Sequence, residues 1–157
     1  MWKNNADGSL DYRLAKNVDI SEDGTTYTLT LRDDIYWSDG EKITTDDIVF
    51  TLDTLAEPEV APSTATGYKV DGEFCTYEKV SDTEIVFTIG RASNLFKKAL
   101  GALYVLPAHC FEGVPATEVL TCEQNDTIAT SGAFVVDSFS VGEKLVCVKN
   151  DKYYRTP

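Results

Sequence analysis

The chain holds 157 residues, 43% of them hydrophobic and 25% charged, and its 14 Lys and Arg against 26 Asp and Glu give a formal net charge of −12. That length and apolar content suit one folded domain that can bury a core without metal or disulfide, which excludes a disordered tail. The acidic excess disfavours nucleic acid and anionic membrane surfaces as partners, and the longest uncharged stretch, residues 99–111, is broken by Pro107 well short of the ~20 residues of a spanning helix.

In chain order, Met1-Trp2-Lys3-Asn4-Asn5 carries no apolar run of a secretory signal, which fits either a cytosolic protein or a piece of a longer secreted one. Residues 14–32 read as a first hairpin. Tyr27, Leu29 and Leu31 share one face, Thr26, Thr28 and Thr30 the other, and Asp23-Gly24 supplies the turn. Ser38-Asp39-Gly40 marks a second turn, and Trp37 beside it reads as a core residue. Thr44-Thr45-Asp46-Asp47 offers a capping hydroxyl and carboxylates for a helix over 45–55, with Ile48, Leu52 and Leu55 at helical spacing.

Residues 57–72, with Pro58, Pro62 and Gly67, predict an irregular connection of a length that is often functional. A second hairpin spans 75–89, turning at 81–83. A helix is predicted over 94–103 with Leu95, Ala99 and Leu103 on its inner face. A third hairpin spans 133–149 and turns at Gly142-Glu143. The class is α+β, antiparallel hairpins with a few helices.

Catalytic chemistry is sparse. There is no G-x-S-x-G, no Gly-rich phosphate loop and no H-E-x-x-H. Asp33-Asp34 lies in a turn and Asp46-Asp47 caps a helix, so each carboxylate pair already has a structural role. No catalytic residue and no cofactor is expected. The four cysteines, Cys75, Cys110, Cys122 and Cys147, show no C-x-x-C spacing and read as buried or free thiols, with three pairings open if all are oxidised. His109 beside Cys110 is too small a donor set for a tetrahedral structural zinc, so no metal is assigned. Adjacent side chains rarely point at each other, so His109 reads as a surface or packing residue rather than half of a Cys/His dyad.

Recognition is the more specific signal. The string from Leu31-Arg32-Asp33-Asp34 through Trp37-Ser38-Asp39-Gly40 to Thr45-Asp46-Asp47-Ile48 resembles the signature region of the family 5 extracellular solute-binding proteins, the peptide and nickel binders of ABC importers. Upstream, Leu14-Ala15-Lys16-Asn17 and Asp23-Gly24-Thr25-Thr26-Tyr27 are similar to the family's preceding blocks. Downstream, Val105-Leu106-Pro107-Ala108-His109, Thr130-Ser131-Gly132-Ala133-Phe134 and Asn150-Asp151-Lys152-Tyr153-Tyr154 follow in family order. Ser138-Phe139 stands where the family has Ser-Trp, a change expected to keep a buried ring, and Thr45 replaces the usual alanine.

The resemblance implies part of a periplasmic-binding-protein-like type II fold. Residues 1–54 and 128–157 are expected to belong to lobe I and 55–127 to an inserted subdomain, with lobe II absent from the chain. It also implies an ABC importer component that captures a peptide or other small solute between two lobes and delivers it to a membrane permease. Such a protein is expected to be monomeric and extracytoplasmic, either periplasmic or lipid-anchored to the outer face of the cytoplasmic membrane. Ser131, Gly132 and Ala133 fall near the hinge and cleft, or form only a bulge at a strand start. Tyr68 falls where oligopeptide-binding relatives present a tyrosine to the ligand. Two other readings stay open, a carboxylate-based hydrolase and a stand-alone extracellular β-rich interaction domain.

Overall fold

A computed structural model of the chain describes residues 1–60, 62–126, 128–140 and 142–155. A short hairpin, β1 (Trp2–Asn4) and β2 (Leu10–Tyr12), leads into β3 (Ala15–Ile20) and β4 (Thr26–Leu31). Helix α1 (Thr45–Ala56) follows, then a single helical turn α2 (Pro62–Ala65), a 3-10 turn (Thr66–Tyr68) and a two-residue hairpin, β5 (Lys69–Val70) with β6 (Glu73–Phe74). Next come β7 (Thr76–Ser81), β8 (Glu84–Thr88), α3 (Asn94–Gly101) and 3-10 turns at Ala108–Phe111 and Glu123–Asp126. The hairpin of β9 (Phe134–Ser140) and β10 (Lys144–Lys149) completes the described elements.

The central sheet is antiparallel in the order β3-β4-β8-β7. Alternation sets its inner face: Tyr27, Leu29 and Leu31 of β4 are buried and the intervening threonines half-buried. Opposite them, Ile85 pairs with Leu29 and Phe87 with Tyr27, so one apolar ladder crosses the sheet. Gly24 turns the first hairpin at φ +68°, and a Cβ there would also meet the Ala92 methyl at 2.8 Å; the turn therefore needs glycine for both backbone and space.

Helix α1 begins in a capping box. Thr44 Oγ1 accepts from the Asp46 N–H at 3.2 Å, and Asp47 Oδ2 accepts from the Thr44 N–H at 2.9 Å. Thr45 is wholly buried and donates instead to the Ser81 carbonyl at 2.6 Å, which ties the helix start to the sheet edge. The helix stops before Pro58, which drives Glu57 into extended backbone.

Several expectations change. The 57–72 stretch is not irregular: Asp71 (φ +54°) and Gly72 (φ +90°) form a tight turn between β5 and β6, the same Asp-Gly signal that closes the first hairpin. Helix α3 starts at the Ser93 cap and ends at Gly101, and its inner face is Phe96 and Leu100 rather than Leu95, which is 56% exposed. The rotation follows ring packing, for Phe96 meets Tyr27 edge-on at 5.1 Å and Phe87 at 6.2 Å. The β1–β2 hairpin was not apparent from the sequence.

The boundaries at 54/55 and 127/128 do not separate two cores among the described residues. β7 and β8, from the segment read as an insertion, complete the sheet begun by β3 and β4. One apolar cluster runs from Trp2 and Leu29 through Ile48 to Phe96 and Leu103. The β9–β10 hairpin stands apart from it, with Phe134, Val136, Phe139, Leu145 and Val148 all exposed. Phe139 is 67% exposed, so the ring expected to be buried is not, because β9 pairs only with β10 among the described residues. No helix among those residues is long and apolar enough to cross a membrane.

Candidate functional site

A groove of about 540 Å³ opens between β1, the segment after α3 and the residues before β9. Trp2 and Lys3 line one wall, Leu103 and Tyr104 another, and Ser131 and Gly132 a third, with Tyr153 and Tyr154 closing one side. Trp2 is held down by its close fit to Gly101, where a Cβ would lie 2.7 Å from the indole nitrogen. Tyr104 is the contrast, 90% exposed although aromatic. Among the described residues, Lys3, Arg13 and Lys98 line the groove and no Asp or Glu does, in a chain whose net charge is −12.

The backbone at 130–133 is fixed by side chains from distant elements. The Ser38 N–H donates to the Thr130 carbonyl at 2.8 Å, and the Thr130 N–H returns a bond to Ser38 Oγ at 3.0 Å. Asn150, itself buried, donates through Nδ2 to the Gly132 carbonyl at 2.8 Å and through its N–H to the Ala133 carbonyl at 2.9 Å. Beside Gly132, among the described residues other than its two chain neighbours, only the Phe134 carbonyl oxygen comes within 4 Å of where a Cβ would be, at 3.7 Å, so the glycine is not closely packed on that side. Ser131 and Gly132 thus reach the groove, while Ala133 lies outside its lining.

Tyr68 is placed differently. It is 3% exposed, donates to the Ala99 carbonyl at 3.1 Å and packs against Phe74 and Phe96. Burial pushes its hydroxyl up to about 12. It borders a second, apolar cavity of about 240 Å³ that shares the wall at 102–104 with the groove, so Tyr68 and Ser131 are not brought together. Sequence reasoning missed Trp2, Arg13 and Tyr104.

Three of the four acidic residues weighed for catalysis, Asp34, Asp46 and Asp47, have other partners. Asp34 pairs with Arg32 at 2.6 Å, Asp46 with Lys79 at 2.7 Å, and Asp47 accepts from Thr44 and also from the Ala108 N–H at 2.9 Å. His109 is partly exposed and lies against Trp37, as a surface or packing residue does, but its expected separation from Cys110 does not hold. Its Nε2 lies 2.7 Å from Asp39 Oδ2 and 3.5 Å from Cys110 Sγ, so the neighbours in sequence do approach each other.

A sheet-and-helix unit with a pinned, groove-lining loop before a C-terminal hairpin defines part of a periplasmic-binding-protein type of fold. The family model described as "Bacterial extracellular solute-binding proteins, family 5 Middle" matches residues 10–157, and the chain belongs to that family. This is a solute-binding family, not an enzyme family. The chain is 30% identical over 102 residues to the dipeptide-binding protein of Lactococcus lactis, covering 57% of this chain and 18% of that protein. The crystal structure of a putative peptide binding protein AppA from Clostridium difficile superposes with a TM-score of 0.86 at 29% identity, over 94% of this chain and 30% of that one. NikZ of Campylobacter jejuni, solved with Ni(L-His), gives 0.79 at 27% identity, over 98% of this chain and 30% of that one. The chain therefore spans less than a third of the length of each of these relatives.

Proposed function

We propose that the chain acts as part of lobe I of an ABC importer's substrate-binding component, outside the cytoplasmic membrane, and that the solute is a peptide. The observation that carries this reading is the groove walled by Tyr104 and the pinned Ser131-Gly132 backbone. An extended peptide is recognised through main-chain hydrogen bonds with roomy side-chain pockets, and an exposed ring beside a small-residue backbone suits both needs. Lys3, Arg13 and Lys98 suit the carboxylate of a peptide or of another anionic solute. Tyr68 enters as support for the shared 102–104 wall.

A second lobe closes over the groove in this reading, and the exposed apolar β9–β10 hairpin is a face that further parts of the fold cover. The closed, monomeric receptor is what the permease reads, and a lipid anchor or the periplasm keeps it near the membrane. Water exclusion by the second lobe strengthens every polar contact in the cleft.

Titration calorimetry of the 157-residue chain with a mixed di- to octapeptide library tests the placement. One open wall leaves most of a pocket's buried area unmade, so binding is expected no tighter than ~1 mM. A two-lobed protein containing the chain is expected to bind far more tightly, and to weaken about tenfold on Tyr104→Ala, a loss of roughly 1.4 kcal/mol. Micromolar binding by the chain alone shows that the whole site lies within it and overturns the two-lobe reading.

A further inference from the structure

Three side chains of different chemistry converge at the end of the sheet-to-helix turn. Donor atoms of Asp39, His109 and Cys110, one from each, lie within 4.8 Å of one another, although Asp39 is 70 positions from His109. Asp39 is held by the Ser38-Asp39-Gly40 turn, where its Oδ1 accepts from the Glu41 N–H at 3.1 Å and leaves Oδ2 to face His109. His109 and Cys110 sit on the 3-10 turn Ala108–Phe111, whose start is fixed by Asp47 through the Ala108 N–H. The His109 ring lies tilted against buried Trp37 at 6.4 Å, which gives it an apolar backing.

The pattern of contacts distinguishes two uses. In a nucleophile relay, thiol and carboxylate engage opposite nitrogens of the imidazole, so that a proton taken on one side is balanced on the other. Here both partners approach the same nitrogen, Nε2, and no relay can run through it. Convergence of one imidazole nitrogen, one carboxylate oxygen and one sulfur on a common space is instead the donor set of a borderline divalent cation. Zinc accepts all three atom types at about 2.0–2.3 Å and has no geometric preference of its own, so small side-chain rotations suffice.

The geometry points to a Zn²⁺ site made by Asp39, His109 and Cys110, with solvent completing the tetrahedron. On binding, the cation replaces the Asp39–His109 hydrogen bond, the Cys110 thiol proton leaves to solvent, and the thiolate, the neutral imidazole and the carboxylate each donate a pair to the metal. The site clamps the 37–41 turn to the 108–111 turn. It is separate from the groove, whose lining includes none of the three residues.

The test uses the metal-free 157-residue chain titrated with Zn²⁺ by calorimetry and with Co²⁺ by absorption. Expected are one-to-one Zn²⁺ binding in the micromolar range and, with Co²⁺, a sulfur-to-metal charge-transfer band with tetrahedral ligand-field intensity. Cys110→Ser is expected to lose the charge-transfer band and at least about tenfold in affinity, His109→Gln and Asp39→Asn to lose about tenfold or more, and Cys147→Ser to bind as the parent does. Independently of any variant, Zn²⁺ is expected to protect Cys110 from alkylation, read by peptide mass spectrometry. Binding weaker than ~1 mM, a charge-transfer band that survives Cys110→Ser, or unprotected Cys110 at saturating Zn²⁺ overturns the assignment.

Discussion

Thr44 and Thr45 are chemically identical neighbours with different tasks, and the difference lies in where each hydroxyl points. Thr44 caps α1, while Thr45 bonds the Ser81 carbonyl from a fully buried position. Thr44→Ala is expected to cost about 1 kcal/mol, measured as a shift in urea midpoint at unchanged slope. The cysteines divide in the same way. Burial pushes the Cys75 thiol up to about 12, whereas Cys147 is exposed on β10. Iodoacetamide at pH 8 is expected to label Cys147 quickly and Cys75 only at the rate of unfolding, which peptide mapping resolves. The sequence carried the existence of a cap, since hydroxyls followed by carboxylates are a local device, but left the choice between Thr44 and Thr45 to the fold. It carried nothing of the Asp39–His109 pair, because a contact between two turns 70 residues apart exists only once the sheet has placed both.

At the scale of elements, legibility follows the range of the forces. β4 was readable because alternation is enforced by the pleat, and its buried residues are those predicted. Helix α3 was read one position out of phase because Leu95 and Phe96 are both apolar. Only the rings of Tyr27 and Phe87, from other strands, decide which turns inward. The same helix makes a second long-range fit, Gly101 against Trp2. Gly101 has an ordinary helical backbone, so a methyl there brings a small gain in helix propensity against a clash at 2.7–2.8 Å with a buried indole. Gly101→Ala is expected to destabilise the chain by about 1–3 kcal/mol and to change Trp fluorescence, as overpacking does.

For the whole molecule, the chain's first and last described segments meet. Arg155 donates to Asp11 at 2.8 Å and to the Tyr12 carbonyl at 2.6 Å, and Arg32 lies over the Tyr154 ring at 4.6 Å. The Met1 ammonium donates to the Gly101 carbonyl at 2.8 Å from a buried position, and desolvation lowers it to about 6. A cation lowered in this way makes the unfolded chain bind more protons between pH 6 and 8. Stability is then expected to rise through that window by up to about 2–3 kcal/mol, and N-terminal acetylation to flatten the rise in urea melts at pH 6, 7 and 8. The groove at this meeting of segments was only half legible. Ser131 and Gly132 stood in a recognisable block, but Trp2, Arg13 and Tyr104 join them through tertiary docking that no local pattern encodes.

The hairpin of β9 and β10 also governs how the chain behaves in company. A two-stranded ribbon is marginal in water, and this one shows apolar side chains on its surface and, among the described residues, no further strand on either edge. Unpaired edges of that kind template pairing with other chains, and charged gatekeepers are sparse here: Lys144 and Lys149 at the ends of β10 and Asp137 in β9. Net repulsion from a charge of −12 opposes such stacking at low salt and fades as ions screen it. Solubility of the isolated chain is thus expected to fall as ionic strength rises, with aggregation expected to begin at this ribbon before the four-stranded sheet opens.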